Sequence, residues 1–414
     1  MTAADRVSDA PLVGVNVLDL SHFLAGPYAG TTLADLGADV IKVEDPDRPD
    51  EARRVGPHFS HGPSDYFLSL NWGKRSIAIR LATPEGRATF VQLARRADVV
   101  LDNFRPGVMD KLGLGPDALR AGNPRLITCS LSGFGSSGPR ASRPGYDYTV
   151  QALSGVMSLT GDPDRAPGKA GISYVDHAGG LAAALGIAAA LAGRGSSGDG
   201  RHLDLSLYDV QVSMLTYLAS WQLNAGHTPT RMPSGAHPSI VPAQTFATAD
   251  GYMSVFVGND EMWSRLCRSL DHPALLDHRY STNAGRFEHR EELVETLVRI
   301  FSDRPTDHWV ATFNATNVPC APVNPLDDAL ADEQVSARRL IADASNDAYG
   351  SYRHVRGPIP LADAAAARGA PELGQHTIDV LIEAGFGEHA VDSLIASGVV
   401  VQHQLPARPT SGTH

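Results

Sequence analysis

Two short segments of this chain carry residue types arranged for chemistry. Gly133-Phe134-Gly135-Ser136-Ser137-Gly138 is a literal GxGxxG. In a dinucleotide-binding fold those glycines open a helix whose N-terminus holds a pyrophosphate. Here Pro139, Pro144 and Gly145 follow at once, so no helix starts and the segment reads as an ordinary glycine loop. The second segment is GKAGISYVDHAGGLAAALGIAAALAG from Gly168 to Gly193, where Asp176 is the only carboxylate and precedes an Ala-rich helical run. Two readings of Asp176 stand side by side. An Asp before a helix caps the free N–H groups; equally, a carboxylate kept ionised by the helix dipole can act as a nucleophile. Gly179 and Gly180 give up helix stability for close backbone approach, which favours a site. His177 points in a different direction from its neighbour and reads as a solvated or core-satisfied histidine.

A set of cations completes the chemistry: Lys42, Lys74, Arg75, Arg105, Lys111, Arg140 and Arg143. Several fall at strand ends or in the loops that follow, where α/β sheets bind phosphate-bearing ligands. HExxH, Walker A, EF-hand and GxSxG motifs are absent, which excludes zinc protease, P-loop hydrolase and serine hydrolase chemistry of those types.

The elements that must hold these residues alternate between strand and helix. Val13–Leu20, a helix from Pro27 to Leu36 closed by Gly37, and Asp39–Glu44 make one βαβ unit. Ser76–Leu81, a helix capped by Thr83 and opened by Pro84, and Asp98–Leu101 make the next. A short helix at Val108–Leu112 leads to a strand at Arg125–Leu131. This pattern predicts an α/β fold with a mainly parallel sheet covered on both faces. A Pro/Gly/His-rich connector then precedes two short strands and several helices. The expected organisation is a large domain over residues 1–225, a linker at 226–239, a small α+β domain at 240–325, a return to the large domain through 326–405, and a disordered tail at 406–414.

With 414 residues, 43% of them hydrophobic, the chain can bury more than one core. Its 46 acidic against 35 basic residues give a net charge of −11, which argues against nonspecific nucleic-acid binding and requires a local basic cluster for any anionic ligand. The 40 glycines exceed the usual share of about 7% and predict sharp turns or close approaches. Cys129, Cys267 and Cys320 are too scattered for a disulfide framework or a CxxC metal site, so the expected location is cytoplasmic. The uncharged run from Gly179 to Gly193 falls short of the roughly 20 residues a bilayer needs, and no membrane partner is expected.

Several segments together resemble the class III CoA-transferases, the group that includes formyl-CoA transferase, carnitine CoA-transferase and the α-methylacyl-CoA racemases. They are Leu18–Pro27 (LDLSHFLAGP), Leu36–Glu44 (LGADVIKVE), Asn71–Ser76 (NWGKRS), Asp102–Gly113 (DNFRPGVMDKLG), Asn123–Pro139, Pro144–Gly155 (PGYDYTVQALSG) and Gly171–Gly180 (GISYVDHAGG). The resemblance implies a large Rossmann-like domain plus a small one, an interlocked homodimer, and Asp176 as the catalytic carboxylate. It implies CoA contacts at His22, Phe23, Leu24 and Ala25, at Lys74 and Arg75, at Asn103, Phe104, Arg105, Met109, Lys111 and Leu112, and at Tyr146. Gly179, Gly180, Gly235 and His237 would line the acyl or acceptor pocket and serve the oxyanions. The partners would be an acyl-CoA and a carboxylic acid, with a coenzyme A thioester as substrate and no permanently bound cofactor or metal.

Departures from the family pattern narrow the reading. A racemase needs an acid/base opposite the Asp; Tyr146 occupies the position of that histidine, and a phenol of reference pKa about 10 is a poor replacement. Transferase is therefore favoured over racemase or epimerase, and a nonenzymatic acyl-CoA-binding protein is the remaining alternative. Leu24 and Asp45 replace the Gln and Arg of the formyl-CoA transferase pattern, which argues against oxalate or formate. Gly235 and Ala243 replace an Asn and a Tyr and widen the acceptor pocket. Arg165, Lys169, Arg231 and His237 are the cations available for a second substrate carboxylate, so the expected donor is a dicarboxylic thioester such as succinyl-CoA.

Overall fold

The computed structural model describes residues 10–359, 361 and 368–403; the tail expected at 406–414 lies outside them. The chain divides into two compact units. The first comprises Met1–Val150, Ile172–Met214 and Ser336–His414. It is built on a sheet whose strands are β1 (Asn16–Asp19), β2 (Asp39–Glu44), β3 (Arg75–Ile79), β4 (Val99–Asp102), β5 (Ile127–Ser132) and β6 (His202–Ser206). These six run parallel in the order β3-β2-β1-β4-β5-β6, and Val400–Val401 adds an antiparallel edge to β3. Central strands such as β1 and β4 are buried on both faces, as a doubly covered sheet requires.

From β1 the chain fills β2 and β3 on one side and β4, β5 and β6 on the other, so the strand order reverses between β1 and β4. Ligands of open α/β sheets bind at the carboxyl ends of strands flanking such a reversal. Two helices cover one face: α1 (Ala25–Asp35) and α4 (Tyr174–Ser197) pack on each other through Ala25, Ala29, Leu33, Ala183, Ala184 and Ile187. The other face carries α3 (Pro84–Ala94), capped by Thr83 Oγ1 on the Gly86 amide (3.0 Å), together with helices Thr377–Glu383 and Glu388–Ala396. A helix not foreseen from sequence, α2 (Asp65–Asn71), starts at Ser64, whose Oγ accepts from the Phe67 amide (3.1 Å).

α4 runs well beyond the uncharged Gly179–Gly193 stretch because Asp176 and His177 enter its first turns and Arg194 its last. Its Tyr174–Gly195 portion is long and apolar enough to cross a membrane by length and composition alone. Within this unit α4 packs on α1, β5 and β6.

The second unit comprises Gln151–Gly171 and Leu215–Val335. It has an antiparallel sheet of Ala243–Ala247, Tyr252–Phe256 and Cys320–Pro322, with an aromatic core at Phe246, Trp263, Phe301, Trp309 and Phe313. This unit is wider than the expected 240–325. Gln151–Gly171, expected within 1–225, joins it because its loop is tied to the connector: the Ser234 amide donates to Asp162 Oδ1 (2.9 Å) and Arg231 Nη2 to the Pro163 carbonyl (3.2 Å).

Candidate active site

The chain leaves β1 through a corner, Ser21-His22-Phe23-Leu24, that lies at the strand reversal and leads directly into α1. Side chains from neighbouring strand ends hold its backbone. Asn103, just past β4, clamps His22 from both sides: its Nδ2 donates to the His22 carbonyl and its Oδ1 accepts the His22 amide, each at 2.8 Å. Lys42 Nζ donates to the Ser21 carbonyl (2.7 Å), and Asp50 Oδ1 accepts the Phe23 amide (3.0 Å). Phe23 consequently sits at φ 62°, a left-handed conformation that non-glycine residues adopt at a cost. The His22 ring meets Phe104 edge-on at 5.5 Å, and the Phe23 ring meets Tyr146 at 6.4 Å.

Beneath the corner lies a buried charge cluster of Asp19, Lys42, Glu44, Asp50, Arg53 and Lys74. Lys42 pairs with Asp50 (2.9 Å), Lys74 with Asp19 (2.8 Å) and Arg53 with Glu44 (2.7 Å). Burial pushes each carboxyl up, but the adjacent cations outweigh it and hold all three below the usual carboxylate range. Burial also pushes His22 below the usual imidazole value, with Lys42 adding to the effect, so its ring is neutral at pH 7.

Asp176 stands in the first turn of α4 and is half-buried. It is not the helix cap: that position is Ser173, and the Val175 amide is taken by Asp147 Oδ1 (3.1 Å). Gly180 locates Asp176 relative to the corner. A Cβ on Gly180 would meet the Ala25 carbonyl at 2.6 Å, so α4 touches the start of α1 there. Asp176 is one turn earlier on the same face, about 6 Å along the axis, which carries it toward the Phe23–Leu24 corner. The Tyr66 hydroxyl of α2 lies in the field of both Asp176 and Asp50: burial first, then those two carboxylates, push it up to about 12. His177 turns to α1, with Nδ1 2.9 Å from the Ser173 carbonyl and its ring edge-on to Tyr28 at 4.8 Å.

Several residues assigned to CoA by resemblance have other work. Lys74 is fully buried and directs its ammonium at Asp19, the Pro27 carbonyl (2.9 Å) and Asn71 Oδ1 (3.0 Å), which leaves none of its three donors for a phosphate. Arg75 lies at the opposite, amino end of β3, bound to Asp39 and to Glu383 (2.8 Å). Met109 belongs to the core and Leu112 packs against it. Gly179 and Gly180 are inside α4, where helical N–H groups past the first turn are committed to the preceding carbonyls rather than to an oxyanion. Lys42 is likewise buried and paired.

Arg105, Lys111 and Arg143 remain exposed. Arg105 and Arg143 share a cleft of about 90 Å³ with Asn103, Phe104 and Tyr146, beside the corner. The glycine loop at Gly133–Gly138 opens no helix; Gly135 turns at φ 78°, its amide donates to Ser132 Oγ (2.9 Å), and the Ser136 amide is taken by Asp204 (3.1 Å). A carboxylate already fills the place a pyrophosphate would need, so the loop is no dinucleotide site.

Gly235 and His237 belong to the second unit. Gly235 is exposed at φ 64°. His237 Nδ1 accepts the Ser239 and Ile240 amides (both 3.1 Å), which leaves the proton on Nε2, 3.3 Å from the Tyr217 hydroxyl. Burial and nearby Arg290 push its pKa below the ordinary value. It shapes its loop as a neutral imidazole. Sequence reasoning missed Asp50 and Tyr66, and the only local signal for either was Ser64 as a cap ahead of α2.

The chain matches the family described as CoA-transferase family III over residues 12–377. It is 42% identical over 387 residues to succinate–glutarate CoA-transferase of Agrobacterium fabrum, covering 90% of this chain and 95% of that one. It is 38% identical over 406 residues to succinyl-CoA:glutarate CoA-transferase of Mus musculus, covering 97% and 93%. The crystal structure of a CAIB/BAIF family protein from Brucella suis superposes with a TM-score of 0.80 at 38% identity, covering 91% of this chain and 99% of that one. The protein belongs to CoA-transferase family III and is an enzyme that transfers CoA.

Proposed function

We propose that this enzyme moves CoA from succinyl-CoA to a free carboxylic acid of the glutarate class, with Asp176 as the covalent carrier. Asp176 attacks the thioester carbonyl; the C–S bond breaks, giving a mixed aspartyl-succinyl anhydride and CoA thiolate. The thiolate attacks the Asp176 carbonyl carbon, succinate leaves, and an aspartyl-CoA thioester remains. The acceptor carboxylate attacks that carbon and releases the thiolate, which then attacks the acceptor's own carbonyl and restores the Asp176 carboxylate. Thioester energy is conserved and no water enters.

The carrying observation is a half-buried carboxylate in the first turn of α4, brought to the His22–Ala25 corner by the Gly180 contact. In this reading CoA runs over the corner toward Phe104, Arg105 and Tyr146, with Arg105, Lys111 and Arg143 taking its phosphates. The names of the A. fabrum and mouse relatives support the substrate pair. The enzyme acts as an interlocked homodimer in the cytoplasm with no resident cofactor; the exposed apolar side chains Tyr148, Leu185, Val212 and Met214 support the dimer, since a second copy would cover them.

Intact-mass spectrometry of the protein mixed with a panel of acyl-CoAs tests the mechanism. Succinyl-CoA should give a CoA-sized adduct that maps to Asp176 and disappears on addition of glutarate. Absence of an adduct from every thioester, or transfer by Asp176→Ala, overturns it.

A further inference from the structure

The mechanism uses none of the buried acids near the site, yet one of them is built into the substrate-facing corner. Asp50 makes four contacts with four different partners. Its Oδ1 accepts the Phe23 amide and the Ala52 amide, both at 3.0 Å; its Oδ2 meets Lys42 at 2.9 Å; its own amide donates to Glu44 Oε1 at 3.1 Å. The carboxylate is fully buried and does not itself face the cleft.

What it holds is strained. Phe23 at φ 62° is stable only where the surroundings over-determine it, and strain of this kind points to function when it lies at a ligand wall. Lys42 ties the residue two before it and Asn103 the residue one before it, so three successive residues are pinned at the backbone. The His22–Phe23 peptide is held at both ends, its carbonyl by Asn103 and its N–H, on the strained residue, by Asp50. The rings so presented, His22 and Phe23, meet Phe104 and Tyr146, the two aromatic side chains that line the Arg105–Arg143 cleft.

We propose that Asp50 is a positioning residue for the thioester substrate: by holding the Phe23 amide in the left-handed corner it fixes the aromatic wall along which the CoA arm lies. This rests on the reading of the corner as the CoA-contacting segment. The arm is bound alike in the ground and transition states, so losing the wall should appear in KM and not in kcat.

The test compares Asp50→Asn with the unmodified enzyme and with Asp98→Asn, which breaks a different partly buried pair, to Arg194 at 2.7 Å, at the amino end of the same sheet. Asp50→Asn should raise the KM for succinyl-CoA about tenfold with kcat within about threefold, the size expected for one charge-assisted hydrogen bond. Amide exchange of the peptide spanning Ser21–Ala25 should speed up in the same variant. Asp98→Asn should lower the melting temperature without moving KM. If Asp50→Asn does not fold, Asp50→Glu keeps the charge opposite Lys42 while displacing the acceptor from the Phe23 amide, and should raise KM in the same way. An unchanged KM in either folded variant, or an equal rise in Asp98→Asn, overturns the proposal. Failure of the underlying reading looks different: Phe104→Ala, which removes the ring that meets His22, would then also leave the KM for succinyl-CoA unchanged, whereas failure of the Asp50 proposal alone leaves that variant with a raised KM.

Discussion

Lys74 Nζ lies 2.8 Å from Asp19 Oδ2, and neither side chain exposes any surface. The lysine therefore serves the fold beneath α1 and not the substrate. Burial, opposed by Asp19 and aided by the Lys42 charge, pushes it down to about 8, yet the three acceptors around Nζ, Asp19, the Pro27 carbonyl and Asn71, require an ammonium. Replacing Lys74 by Met leaves Asp19 buried without its cation, which should cost about 3–5 kcal/mol in denaturant unfolding. The protein that remains folded should keep its KM for acyl-CoA. A raised KM at unchanged stability would return Lys74 to the ligand.

Arg105 and Arg143 are the opposite case, exposed and at one cleft. Arg105→Ala and Arg143→Ala should each weaken CoA binding about tenfold in calorimetry, with stability nearly unchanged. The loss should shrink as salt is added, because exposed charges are screened. Equal affinity in both variants at low salt would move the phosphates elsewhere.

The Gly180 contact predicts a coupled loss. A methyl at this position overlaps the Ala25 carbonyl, and relieving it requires α4 to move off α1. Gly180→Ala should destabilise by about 1–3 kcal/mol and lower kcat by about tenfold or more through misplacement of Asp176. Gly186→Ala in the same helix meets only Leu203 Cδ1 at 3.4 Å and should leave kcat unchanged. Thermal melts and steady-state rates on the two variants separate packing from general helix effects.

A pH dependence follows from Asp102 at the end of β4. Burial pushes its carboxyl up from 3.8 to about 6, against the pull of Ser130 Oγ (2.7 Å) and the Phe104 amide (3.2 Å). The folded pKa exceeds the unfolded one, so the fold disfavours the ionised form; this group's stabilisation is complete below about pH 4 and is lost as pH rises through 6. Asp102→Asn keeps both hydrogen bonds, with its amide donating to Ser130 Oγ. It should raise the melting temperature at pH 8, corresponding to about 1–3 kcal/mol, and give no gain at pH 4. A gain of the same size at both pH values would mean that charge is not the cause.

The alternation of strands and helices is legible in the sequence because each element carries its own local pattern: Thr83-Pro84 opens α3, and the β-branched run at β2 needs no partner to be recognised. Asp176 is legible for the same reason, as one carboxylate ahead of a small-residue helix. Lys42 and Lys74 are not. As residue types they read as phosphate ligands, and only register and burial, which bring Lys42 beside Asp19 and Asp50, turn them inward. Asp50 is hidden in a Pro/Asp-rich loop with no periodicity, and its partner Phe23 is distant in sequence. Continuity in sequence places Gln151–Gly171 in the large domain, but its side-chain and backbone ties run to residues 231–234. Local chemistry can be read from composition, whereas the partner of a buried charge is a property of the topology.

The six ionised groups under the corner are three of each sign, Asp19, Glu44 and Asp50 against Lys42, Arg53 and Lys74. Seen from solvent they cancel, so the strongest charges in this region cast almost no shadow at a distance. A polyanionic thioester diffusing in feels instead the net −11 of the whole chain, and only at close range the exposed arginines. Capture is thus set by short-range fit more than by long-range attraction, and added salt should speed the encounter even while it weakens the bound complex.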